Sequence, residues 1–201
     1  MKKIHKFLMV VALMIISLTS SQAQDDKFIG VSYSMASPSN GMSNYMSNAS
    51  FTGGNIEYRQ FLNNNLSVGF NFGMNTFNQG NGYKTYHGEQ GAISGEEFRD
   101  FASLSTYATV HYYFGEKGGI RPYVGMGIGA SGQYFDNQIG GVLVTDQYWS
   151  FSIAPEVGVL APLGDSGISL LSNVKYQYAA PNSGYQGMGM WSFNIGIAIG
   201  I

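Results

Sequence analysis

The feature that most constrains this chain is a strict period of two, large apolar residues at one set of positions and small ones at the other. Trp191, Phe193, Ile195, Ile197, Ile199 and Ile201 alternate with Ser192, Asn194, Gly196, Ala198 and Gly200. Leu66, Val68, Phe70, Phe72 and Met74 alternate with Ser67, Gly69, Asn71, Gly73 and Asn75. The same holds for Val124, Met126, Ile128 and Ala130 against Gly125, Gly127, Gly129 and Ser131, and for Ile29 to Met35. Side chains of a strand point alternately to opposite faces, so each segment has one greasy face and one small, polar face. A soluble sandwich would clothe its second face in Lys, Glu and Thr. Gly, Ser, Ala and Asn suit instead the crowded interior of a small closed barrel whose greasy face looks into lipid. The fold expected is all-β, a closed eight-stranded antiparallel transmembrane β-barrel with an up-and-down meander.

Eight such segments are predicted, at 28–36, 53–61, 66–76, 101–114, 122–134, 148–160, 168–178 and 190–201. Connections between them alternate in length. Asn63 to Asn65, Gly115 to Ile120 and Ala161 to Gly167 read as short turns. Ser37 to Thr52, Phe77 to Asp100, Phe135 to Gln147 and Ala179 to Gly189 read as long loops, the pattern of a membrane barrel. Ten strands stay open, because 77–100 has room for another hairpin. Aromatic residues are predicted at two levels: Phe28, Phe61, Tyr112, Phe114 and Tyr123 near the short turns; Tyr33, Phe77, Tyr134, Trp149, Tyr178 and Trp191 near the long loops.

Residues 1–23 read as a secretory signal peptide. Lys2, Lys3 and Lys6 precede an apolar run from Phe7 to Ile16, and Ser21-Gln22-Ala23 offers a cleavage site after Ala23. Ten apolar residues are too few for the roughly 20 of a spanning helix. Residues 24–201 are then the barrel domain. Only 11 % of the chain is charged and no cysteine occurs, which excludes a disulfide scaffold and a thiolate metal site. A net charge of −2 with no basic block argues against nucleic acid.

Parity places the polar residues of interest inside. Glu57 and Arg59, His111, Glu156 and Lys175 all fall on inward positions, forming a predicted lumen network in which the acids pair with Arg59 and Lys175, because buried charges need partners. One alternative uses the same residues as a gated polar path for ions or small solutes. Pro155 lacks an N–H to give a ladder, so a bulge is expected beside Glu156. At the loop mouth, Met42, Tyr45, Met46, Tyr185 and Met188 are adaptable apolar contacts for an extracellular or small-molecule ligand, or simply rim packing. His87 lies near Glu89, Glu96, Glu97 and Asp100, but their spacing matches no metal-ligand pattern. No catalytic or cofactor-binding motif is present, so no enzyme, metal or cofactor is expected.

Arg121-Pro122-Tyr123-Val124-Gly125-Met126-Gly127-Ile128-Gly129 resembles a strand of the small outer-membrane β-barrel proteins of the OmpA, OmpX and OmpW type. Asn55-Ile56-Glu57-Tyr58-Arg59, the asparagine turn and Leu66-Ser67-Val68-Gly69-Phe70 resemble that family's second hairpin. The resemblance spans 28–201 and implies a Gram-negative outer membrane, lipid around the barrel, both termini and the short turns in the periplasm, and long loops outside. It also implies insertion by the barrel-assembly machinery, although the last strand ends in Ile201 where the family's signal ends in an aromatic. No periplasmic domain is expected after Ile201. The role expected from the filled lumen and the long loops is structural and surface-interactive with a plugged lumen; the alternative is a narrow channel for small solutes, hydrophobic ones among them.

Overall fold

Pairing each alternating segment with the next, and the last with the first, closes a ring. The computed structural model describes residues 27–88, 91–164, 166–182 and 184–201; the signal peptide read at 1–23 lies outside the described residues. The strands are β1 (Lys27–Asn40), β2 (Thr52–Phe61), β3 (Leu66–Gly88), β4 (Gly91–Tyr113), β5 (Arg121–Ile139), β6 (Val142–Pro162), β7 (Ile168–Ala179) and β8 (Met188–Gly200). All neighbours are antiparallel, and β1 pairs with β8 from Phe28 opposite Gly200 to Asn40 opposite Met188. Closure removes every sheet edge within the ring, which is how strands satisfy their backbone groups in lipid. No helix among the described residues is long and apolar enough to cross a membrane.

The two faces are inverted relative to a water-soluble protein. Ile56, Phe70, Phe72, Ile128, Phe151, Val157 and Ile195 are exposed on the outside, while Ser34, Asn55, Ser67, Asn71, Asn75, Ser105 and Asn194 are buried inside. Short turns are held by local chemistry. The Asn63 side-chain oxygen accepts from the backbone N–H groups of Asn65 and Leu66, each at 2.9 Å. The start of β1 and the end of β8 sit at this same end: Gly200 N–H donates to Gly167 and Ile201 N–H to Lys27.

Two of the four expected long loops are strands. Beyond the ring, β3 and β4 continue as one hairpin pairing Phe77 with Phe101 and Gly88 with Gly91. Likewise β5 and β6 pair from Phe135 opposite Asp146 to Ile139 opposite Val142. Gly140 turns that hairpin at φ 57°, a left-handed value tight turns need. The segment 77–100 therefore lengthens two strands instead of adding two. Toward its tip the β3–β4 hairpin pairs only with itself, so no lumen crowds one face and the greasy-versus-small contrast fades although the pairing persists.

The bulge expected at Pro155 is absent. Ile153 faces Tyr178 and Glu156 faces Lys175, so the β6–β7 register is unchanged across the unpaired proline. The ladder skips Ala154 and Pro155 and keeps its parity. A bulge occurs instead in β3, where Gly80 pairs with Phe98 and Gly82 with Glu97, leaving Asn81 as the extra residue. Of the predicted aromatic rings, Tyr33, Tyr112, Phe114, Trp149 and Trp191 face outward. Phe28, Phe77 and Tyr123 are buried inside, and Phe61 packs against the inner cluster with Phe28 and Tyr113. Their parity matches the lumenal set, and that outweighs their height along the barrel.

Candidate functional site

The lumen is filled in layers. Phe28, Tyr113, Tyr123, Leu160, Leu171 and Ala198 form an apolar layer toward the short turns. Above it stands Arg59, fully buried. Its guanidinium donates to Glu57 and Glu156 at 2.9 Å each, to Tyr113 Oη at 2.8 Å and to Tyr123 Oη at 3.1 Å. It also lies 4.5 Å from the Tyr123 ring centroid. Glu156 is the second centre. Beyond Arg59, its carboxylate lies 2.8 Å from His111 Nε2 and 3.3 Å from Lys175 Nζ. Lys175 donates onward to Asn71 at 3.1 Å.

Four strands thus bring Glu57, Arg59, His111, Glu156 and Lys175 into one connected group. The inward glycines make room for it. A Cβ on Gly125 would stand against the His111 ring and Glu156 Cγ, so the β5 strand gives up a side chain where β4 and β6 meet across the lumen. Asn71, Tyr113, Tyr123 and Asn173 belong to the same network and were missed by a search for charges alone. Their inward parity was the available signal. Farther up, Asn55 donates to Asn194 at 2.8 Å and Asn194 to Asn173 at 2.6 Å. Tyr107 meets Ser152 at 2.9 Å.

At the other end the loop-mouth residues turn inward. A 3-10 turn at Gly41–Asn44 carries Met42 into the barrel, and Met42 and Met46 are both fully buried against Phe77, Phe101, Phe135, Tyr148 and Met190. Tyr45, Tyr185 and Met188 are partly buried on the same cluster. The two buried methionines have no free surface for a ligand, while Tyr45, Tyr185 and Met188 keep part of theirs. A void of about 10 Å³ remains beneath them, lined by Met42, Ser103, Ser131, Gln133 and Gln177, at the lower limit for one water molecule.

The protruding hairpin has its own polar centre. Glu97 accepts from Asn81 at 2.8 Å, Tyr86 at 2.9 Å and Arg99 at 3.1 Å. Arg99 also reaches the Tyr45 carbonyl at 3.2 Å, tying the hairpin to the inward-turned first loop. Burial raises the Glu97 pKa, but the three hydrogen bonds and the Arg99 charge outweigh it and hold the carboxyl below its ordinary value. A depressed carboxyl stabilises the fold above the unfolded value near 4.5 and stops doing so as pH falls through the folded one. Amide exchange over 81–86 and 96–99, corrected for intrinsic rates, is therefore expected to quicken on acidification below pH 4.5. Glu97→Gln is expected to exchange fast at every pH. An acid-insensitive wild-type hairpin would contradict this. His87 lies apart from this centre, paired with Ala92 near the hairpin tip.

Among solved structures, the chain is similar to small outer-membrane barrels. Neisserial surface protein A superposes with a TM-score of 0.60 at 14 % identity, covering 88 % of this chain and 97 % of that one. For OprG of Pseudomonas aeruginosa the values are 0.51 and 15 %, with 88 % and 96 % covered. Ail of Yersinia pestis, solved with the heparin analogue sucrose octasulfate, gives 0.50 and 15 %, with 86 % and 96 % covered. No family model matches the sequence, and no curated protein matches it significantly. The fold is that of the small outer-membrane barrels.

Proposed function

We propose that this chain is an integral outer-membrane barrel with a structural, non-enzymatic role, sealed through its lumen and presenting two protruding hairpins and two loops at the cell surface. The observation that carries the reading is the stack of filled layers along the axis. An apolar layer, the Arg59–Glu156 network, an amide layer and a methionine–aromatic cap follow one another. Around the ring, exposed Ile, Val and Phe side chains give the lipid contact, and Trp149 and Trp191 mark its upper boundary. The short turns and both termini then face the periplasm, where the barrel-assembly machinery meets the last strand. The hairpin ends carry exposed Tyr83, Phe98, Leu143 and Val144, which supports contact with partners outside the cell.

The chain has no cysteine, so single-cysteine labelling reads this topology cleanly. On intact Gram-negative cells a membrane-impermeant maleimide is expected to label Lys84→Cys at the hairpin. Lys117→Cys, in a short turn, is expected to react only after the outer membrane is permeabilised. The reverse pattern would invert the orientation, and labelling of neither in the membrane fraction would remove the surface role.

A further inference from the structure

Below the apolar layer, at the short-turn mouth, lies a cavity of about 500 Å³ that the lumenal network does not use. Phe28, Phe61 and Leu160 contribute its apolar wall, and Lys27 and Arg121 its charge; no carboxylate is among the described residues that line it. Arg121 is only 6 % exposed. Its guanidinium lies 4.8 Å from the ring centroids of both Phe61 and Tyr113, which fix its plane. One terminal nitrogen donates to the Asn64 carbonyl. Its Nε is buried without a hydrogen-bond partner, and no ion pair joins Arg121 to a described carboxylate.

A guanidinium taken out of water without a counter-charge is costly, and a donor left vacant adds to that cost. Arg59, which shares Tyr113 as a neighbour with Arg121, has two carboxylates; Arg121 has none among the described residues. Guanidinium groups in a fixed plane match the geometry of carboxylate and phosphate oxygens. A volume of about 500 Å³ lies within the ordinary range of sites that take small ligands, which are mostly apolar with a few placed polar groups. We propose that this vestibule binds a small amphiphilic oxyanion. Its carboxylate or phosphate head docks on Arg121, with Lys27 adding positive field, and its apolar body lies against Phe28, Phe61 and Leu160. The mouth opens along the barrel axis, so the ligand arrives from the aqueous side. Binding needs no passage through the lumen, and its test is independent of whether the barrel is sealed.

The chain has three arginines, Arg59, Arg99 and Arg121, so side-chain Nε–H resonances of the labelled barrel in lipid nanodiscs resolve the site directly. Phenyl phosphate and 3-phenylpropanoate are the probes; inorganic phosphate and 3-phenylpropan-1-ol supply the head and the body alone. Saturable movement of the Arg121 resonance by at least one anionic probe, with Arg59 and Arg99 unmoved, is the expected result. Which probe binds more tightly distinguishes a phosphate from a carboxylate head. In Arg121→Gln, followed through the Gly118 and Gly119 amides, affinity is expected to fall at least about tenfold for loss of a charged hydrogen bond. Should that variant fail to fold, Arg121→Lys keeps the charge without the planar fork and is expected to weaken binding as well. No saturable shift with either anion up to about 10 mM overturns the proposal. So does an equal response to the alcohol, which would make the cavity merely apolar, or to inorganic phosphate, which would make the apolar body irrelevant.

Discussion

Replacing Arg59 with alanine is expected to destabilise the folded barrel by about 3–5 kcal/mol, because it strands buried carboxylates without their cation. Glu57 has Arg59 as its ion-pair partner, and Glu156 shares Arg59 with His111 and Lys175. Removing the guanidinium also takes donors from Tyr113 and Tyr123. Glu57 suffers most, since Lys175 and His111 still face Glu156. Adding Glu57→Gln to Arg59→Ala neutralises the stranded acid and is expected to recover part of the loss. Urea titration in lipid vesicles, followed by the fluorescence of Trp149 and Trp191, measures both. A loss under about 1 kcal/mol, the size of a solvent-exposed pair, would show that water screens these charges and that the lumen is open.

Ile195→Arg is expected to cost about 2–4 kcal/mol, the depth-dependent cost of a guanidinium on the lipid face of a barrel. Ile195 is the middle residue of the outward row Trp191, Phe193, Ile195, Ile197 and Ile199 on β8, and all five are exposed. The control is Tyr83→Arg on the protruding hairpin, also exposed, where the change is expected to stay within about 0.5 kcal/mol. The contrast between these two exposed residues locates the bilayer along the barrel. Equal, small effects at both positions would mean that the outward face of β8 meets water.

Strand number, closure and the inward set were legible because lipid outside and crowding inside impose opposite demands on neighbouring residues. The row from Trp191 to Ile201 shows both demands at every step. The same physics explains what was not legible. At Asn78 to Gly88 neither side of the hairpin encloses a lumen, so long strands looked like loop. Phe28, Phe77 and Tyr123 were assigned by height, whereas parity with Gly30, Asn75 and Gly125 sends them inward. Asn81 escaped notice since a bulge depends on register with β4, which only the paired strands define. For the lumenal group, charge and parity sufficed to find Glu57, Arg59, His111, Glu156 and Lys175. Which acid would take which base depends on distances across the barrel, and there Glu156 collects Arg59, Lys175 and the His111 ring nitrogen while Glu57 has Arg59 alone. Arg121 was passed over because it opens a strand beside a proline, and its stacking between Phe61 and Tyr113 is a contact of three separate elements.

The central claim is that a barrel of this size spans the membrane without opening a path through it. Residues 24–201, folded into lipid and verified by heat-dependent gel migration, can be recorded as single insertions in a planar bilayer. The account predicts no current steps above those of the protein-free membrane at any moderate voltage. Uniform, reproducible steps that change size in Glu156→Ala and Lys175→Ala would contradict it and make the Arg59–Glu156 network the gate of a narrow channel.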